Sequence, residues 1–175
     1  MRRKSILALL EGGGRRSIGR ADQVAALVSK DAALFPELMA GLWSGDDRVR
    51  MRAADAAEKI TRGNRDLLRP YKKELLGLMA ETQQQELRWH LAAMIPRLTL
   101  NATERKLAVS TMRGYLEDRS SIVKTSALQA LADLAQDEPG LRPKAIEMLR
   151  ESSRNGTPAM KARSGSCCCV SKIGK

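Results

Sequence analysis

The sequence predicts an all-α fold, an α-solenoid of stacked antiparallel helix pairs, and three observations predict it. Apolar residues recur on one helical lattice in three segments; the segments are 38 and 36 residues apart; and a second, less regular helix falls between them. One amphipathic pair cannot bury its own faces, so stacking on neighbours must supply the core. Only five of the 175 residues are aromatic, so that core is aliphatic, while an apolar fraction of 43% is ordinary for a folded chain. The length suits one domain, which we place at residues 1–163, with an irregular Cys- and Lys-containing tail at 164–175.

In chain order, Ile6–Leu10 follows Arg2, Arg3 and Lys4 but is too short for the apolar stretch of a secretory leader. The stretch Gly12-Gly13-Gly14-Arg15-Arg16-Ser17 reads as a flexible loop between the first two helices. It lacks the preceding strand and the Gly-Lys-Ser/Thr ending of a phosphate cradle. Phe35-Pro36 through Trp43 is the second helix of an early, shorter copy, since Leu42 lies 37 residues before Met79.

The lattice itself consists of Val49, Ala53, Ala56, Ala57 and Ile60, at offsets 0, 4, 7, 8 and 11. Leu87, Leu91, Met94, Ile95 and Leu98 repeat it, as do Val123, Ala127, Ala130, Leu131 and Leu134. These offsets trace one helical face. A basic residue follows the first position each time: Arg50, Arg88 and Lys124. The intervening helices present Tyr71, Leu75, Leu78 and Met79, then Leu107, Thr111, Met112 and Tyr115, then Ile146 and Leu149. Gly63-Asn64 closes one helix, Asn101 with Glu104 forms a capping box, and Pro70 and Pro143 suit first turns. Pro96 removes a hydrogen bond and kinks the helix of the second copy.

Met160 opens a fourth, incomplete copy, 37 residues after Val123. Ser164 takes offset 4, and Cys167 and Cys168 take offsets 7 and 8, where Ala is usual. Cys packing as a small hydrophobe in a frayed cap, a disordered tail and an altered terminus all fit this departure. A zinc site would need His90 as fourth ligand to Cys167, Cys168 and Cys169. Cys169 is followed by six residues, so no prenylation signal is present; palmitoylation beside Lys172 and Lys175 rests on composition alone.

The segments 46–56 and 123–131 resemble the first helices of HEAT repeats. Together with Arg15–Asp22, Leu87–Ala92 and Gly156–Met160, they make residues 5 to 163 similar to small bacterial HEAT-repeat proteins, of the HEAT/armadillo-like superfamily. The resemblance implies a right-handed solenoid of about four repeats, a tolerated bend at Pro96, and second helices lining the concave surface. It further implies that Arg50, Arg88 and Lys124 pair with acids of adjoining repeats. It transfers no activity.

Charge is unevenly spread. The net +11 resolves into +5 in residues 1–20, +5 in residues 152–175 and +1 in the 131 residues between. Within that body, residues 48–73 carry +6 and residues 21–47 carry −4. Asp55 with Lys59, and Glu58 with Arg62, are i,i+4 pairs that consume part of the band. More specific are the starts of the second helices, which hold Arg69, Lys72 and Lys73, then Arg105 and Lys106, then Arg142 and Lys144. Cations at a helix N-terminus oppose its dipole, so their recurrence nominates these seven as partner-binding residues, against the plainer reading of solvated lysines.

Three function classes follow. The leading expectation is a cytoplasmic, non-enzymatic scaffold or adaptor that binds an acidic protein surface or peptide on its concave face. The alternative is a DNA- or RNA-binding protein that contacts phosphates, with the basic termini as arms. The third is an enzyme, since HEAT-like glycosylases and chromophore lyases exist. Trp43, Trp89 and Tyr71 are the aromatics available to flank an extruded base, but they share no repeated spacing, and core packing suits each. His90 stands beside the buried stripe and reads as partly packed. No residue is nominated as catalytic, cofactor-binding or metal-binding, no cofactor is expected, and no apolar run approaches a membrane span.

Overall fold

A computed structural model describes residues 5–14, 17–136 and 138–166. All regular structure among them is helical. The chain divides into two compact units, one ending at Pro70 and the other beginning at Tyr71.

The first unit opens with a 3-10 turn, Ile6–Leu9, whose N-cap Ser5 side chain accepts from the Leu7 amide. Helix α1 spans Ala21–Lys30, α2 spans Phe35–Ala40 with a 3-10 turn Gly41–Trp43 after it, and α3 spans Asp47–Gly63. Both α1 and α2 pack against α3. The reason lies in α3's small residues: Ala53, Ala56 and Ala57 are fully buried and let neighbouring backbones come close. Gly41 depends on this, because a Cβ there would lie 2.8 Å from the Ala53 methyl. Asp46 caps α3 by accepting from the Arg48 amide at 2.8 Å. A 3-10 stretch, Arg65–Tyr71, follows and contains Pro70.

The second unit holds α4 (Lys72–Glu81), α5 (Gln85–Met94), α6 (Ala102–Tyr115), α7 (Ser121–Gln136), α8 (Arg142–Asn155) and α9 (Pro158–Ser166). Helix α7 is its centre and packs against α5, α6, α8 and α9, while α4 packs against α5 and α6. The Leu128 and Ala132 side chains of α7 meet Leu149 of α8 and Met160 of α9 in one cluster. Pro96 ends α5 at Met94 and converts the next turn to 3-10 geometry over Ile95–Arg97. The capping box at α6 is formed: Glu104 N donates to Asn101 Oδ1 at 2.9 Å, and Asn101 N donates to Glu104 Oε2 at 2.8 Å.

Every position of the apolar lattice is buried except Ile60, which is half-buried. On the expected faces of the second helices, Tyr71, Leu78, Thr111 and Ile146 are half-buried, and one residue is exposed. Leu107 is 43% exposed, and Ala108 takes the buried place on α6. Because α6 presents Ala108, Met112 and Tyr115 inward, at offsets 0, 4 and 7, Leu107 falls outside that stripe. The final helix runs through Gly165 to Ser166, three residues beyond the expected domain end. Ser164 is buried there, its hydroxyl donating to the Met160 carbonyl at 2.8 Å. Cys167, Cys168 and Cys169 lie outside the described residues.

Candidate functional site

Two of the three basic residues that follow the first lattice position anchor turns. Arg50 Nη1 donates to the Ser44 carbonyl at 2.6 Å, and Arg88 Nε donates to the Thr82 carbonyl at 2.9 Å, six residues back in both cases. Arg50 also pairs with Asp47 on its own helix. Arg88 reaches Asp118 beyond α6 at 2.6 Å, with its guanidinium carbon 5.1 Å from the Tyr115 ring centroid. Burial pushes the Asp118 carboxyl upward, but the Ser120 amide and Arg88 outweigh it and hold the group below its ordinary range. The Tyr115 hydroxyl donates to the Met79 carbonyl at 2.5 Å, and burial raises its ionisation well above that of a free phenol. Lys124, the third of the set, is half-buried beside a surface groove.

The cations at the starts of the second helices divide into two kinds. Lys72 donates to Glu104 at 2.7 Å and to the Thr99 carbonyl at 3.3 Å, which ties the start of α4 to the capping box of α6. The Lys72 ammonium, then the Asn101 amide, hold the Glu104 carboxyl below its usual range. Arg105 donates to the Leu100 carbonyl at 3.1 Å and lies 3.5 Å from Glu138. Arg142 donates to the Ala135 and Gln136 carbonyls, at the C-terminal end of α7. There a cation is favoured by the dipole it meets, which offsets its placement at its own helix's start. Arg69, in the first unit, approaches Asp66 at 3.8 Å with both side chains largely exposed, a weak pairing. Lys73, Lys106 and Lys144 are exposed and form no ion pair among the described residues.

Two adjoining grooves collect part of this set in the second unit. The smaller, about 350 Å³, is lined by Arg105, Lys106 and Arg113 together with the apolar Val109 and Leu141. The larger, about 780 Å³, carries Arg113, Lys124 and Lys144 against Glu117, Glu147 and Glu151. Ser110 and Arg113 belong to both. Lys72, Lys73 and Arg142 line neither. Sequence reasoning passed over Arg113, although it lies seven residues after Lys106 and four after Val109 on the outer face of α6, a spacing legible in the sequence.

The glycine-rich loop of the first unit is also built around a cation. Arg52, on α3 and 1% exposed, donates to the carbonyls of Leu10 (2.7 Å), Gly12 (2.5 Å), Gly14 (3.0 Å) and Ser17 (3.0 Å). Gly12, Gly13 and Gly19 have positive φ, as so tight a wrap requires, and a Cβ on Gly19 would lie 2.9 Å from the guanidinium. The expected flexible loop is therefore held at Gly12, Gly14 and Ser17. A phosphate cradle directs amides at its ligand, whereas this loop turns four carbonyls onto a guanidinium.

Trp43 is 47% exposed, Trp89 and His90 are half-buried neighbours with ring centroids 5.6 Å apart, and Tyr71 is half-buried. Among the described residues no three His, Cys, Asp or Glu side chains are grouped to hold a metal, and no helix is long and apolar enough to cross a membrane. No family model, curated protein or solved structure matches this chain significantly.

Proposed function

We propose that the chain is a HEAT-like, right-handed α-solenoid of stacked helix pairs that serves in the cytoplasm as a protein-interaction scaffold for an acidic partner. Support for the solenoid comes from packing in the second unit. Helices α5, α7 and α9, the first members of successive copies, pack in sequence, and so do α4 and α6, second members of adjacent copies. One observation carries the functional reading: Lys106, Arg113 and Lys144 lie along two adjoining grooves and form no ion pair among the described residues. Exposed cations left unpaired beside a concavity favour and steer an anionic partner.

The larger groove weighs against nucleic acid as that partner. A phosphate backbone carries charge at every step and would meet Glu117, Glu147 and Glu151 there. The test is affinity purification from the source cell, with and without nuclease, using the native chain and a variant reversing Lys106, Arg113 and Lys144 to Glu. Partners that survive nuclease and are lost by the variant are expected. If the variant retains every partner, the reading is wrong.

A further inference from the structure

The two grooves differ in a way that narrows the partner. In the smaller groove, Ala102, Val109, Gly140 and Leu141 provide an apolar lining, and its cations outnumber Glu138, its one acid among the described residues. Arg105 faces that acid at 3.5 Å, so Lys106 and Arg113 are the charges left for a ligand. In the larger groove the signs balance, three against three. A uniformly acidic chain would gain at the first groove and gain nothing net at the second.

We propose, building on the acidic-partner reading above, that the groove between α6 and the 3-10 turn Pro139–Leu141 is a docking pocket for a short protein segment of specific composition. Its occupant is an apolar side chain seated against Val109 and Leu141, flanked by carboxylates that meet Lys106 and Arg113. Where that segment continues past Arg113 toward Lys144, it carries no net charge, because three cations and three glutamates line that path. The apolar anchor gives affinity by leaving water, and the flanking charges fix register and encounter rate. Charge complementarity thus commits the pocket to an acidic–apolar peptide rather than to a second copy of this near-neutral solenoid body.

Three synthetic peptides of equal length test this by fluorescence anisotropy. The first has glutamates flanking a central leucine and a neutral tail; the second replaces the leucine with serine; the third is polyglutamate. The first should bind best, with the serine peptide weaker by about tenfold or more, as expected for the loss of one buried apolar anchor. Polyglutamate should bind weakly and lose its binding in salt. Val109→Arg should abolish the preference for leucine over serine. Lys106→Glu with Arg113→Glu alters only exposed side chains, so the fold is kept, and it should weaken the first peptide by about tenfold. If all three peptides bind equally, Val109→Arg changes nothing and the double charge reversal weakens all three alike, the pocket is overturned while the acidic-partner reading stands. If none binds even at low salt, both fall.

Discussion

The two units use their cations differently. In the first, Arg52 is enclosed by four backbone carbonyls, Lys59 bridges Asp22 (2.5 Å) and Asp55 (2.7 Å), and Arg62 pairs with Glu58 at 2.7 Å. The strongest basic band in the sequence is thus largely spent on holding helices and a loop together. In the second, Lys72, Arg105 and Arg142 do similar work, but Lys73, Lys106, Arg113 and Lys144 form no ion pair among the described residues. A local excess of positive charge therefore says little about binding; what matters is whether a guanidinium or ammonium already has its partner.

The largest effect should come from breaking the enclosed cation. Arg52→Ala leaves the buried Leu10 carbonyl without its donor and releases the loop at Gly12, Gly14 and Ser17. It should cost about 2–3 kcal/mol in chemical unfolding, with Arg52→Lys intermediate because it lacks the planar fork. Gly19→Ala should cost about 1–2 kcal/mol, since it combines an unfavourable φ with a clash on that guanidinium. In the second unit, Tyr115→Phe leaves the buried Met79 carbonyl without its donor and should cost about 1 kcal/mol. Asn101→Ala removes one half of the α6 capping box, for a similar or smaller loss.

The smallest effect is a pH dependence. Burial raises the Asp133 carboxyl, against the lowering influence of Gln129, Arg163 and Arg97. Its folded value lies above its unfolded one, so its ionisation reduces stability as pH rises through the folded value, and the loss is relieved in acid. Asp133→Asn should therefore equal or slightly exceed the native chain in stability at neutral pH, and that advantage should vanish as the native carboxyl protonates. A native advantage at neutral pH would show that the charge itself is stabilising.

How much of this was legible differs by feature. The buried faces of α5 and α7 follow from the offsets of Leu87 and Val123 and their partners, because period 3.6 burial is a local property of sequence. The box at Asn101 and Glu104 and the break at Pro96 are local too. Leu107 misled because its neighbour Ala108, though less apolar, is the residue in step with Met112 and Tyr115. Arg52 was unreadable for another reason: its partners are carbonyls 35 to 42 residues away, and backbone acceptors leave no mark in a sequence. The same holds for Arg142, whose acceptors end the preceding helix. For Lys106, Arg113 and Lys144, sequence shows charge, but only tertiary structure shows which charges lack a partner.

In the function proposed above, cations of the second unit that form no ion pair among the described residues, not the chain's overall charge, recruit an acidic protein. The most direct measurement compares nuclease-treated affinity purifications of the native chain with two charge-reversed variants. One reverses Lys73, Lys106, Arg113 and Lys144; the other reverses an equal number of exposed basic residues elsewhere, Lys30, Arg65, Arg119 and Arg150. Partner loss is expected in the first variant alone. Equal loss in both would mean that net charge decides, and retention in both would contradict the claim outright.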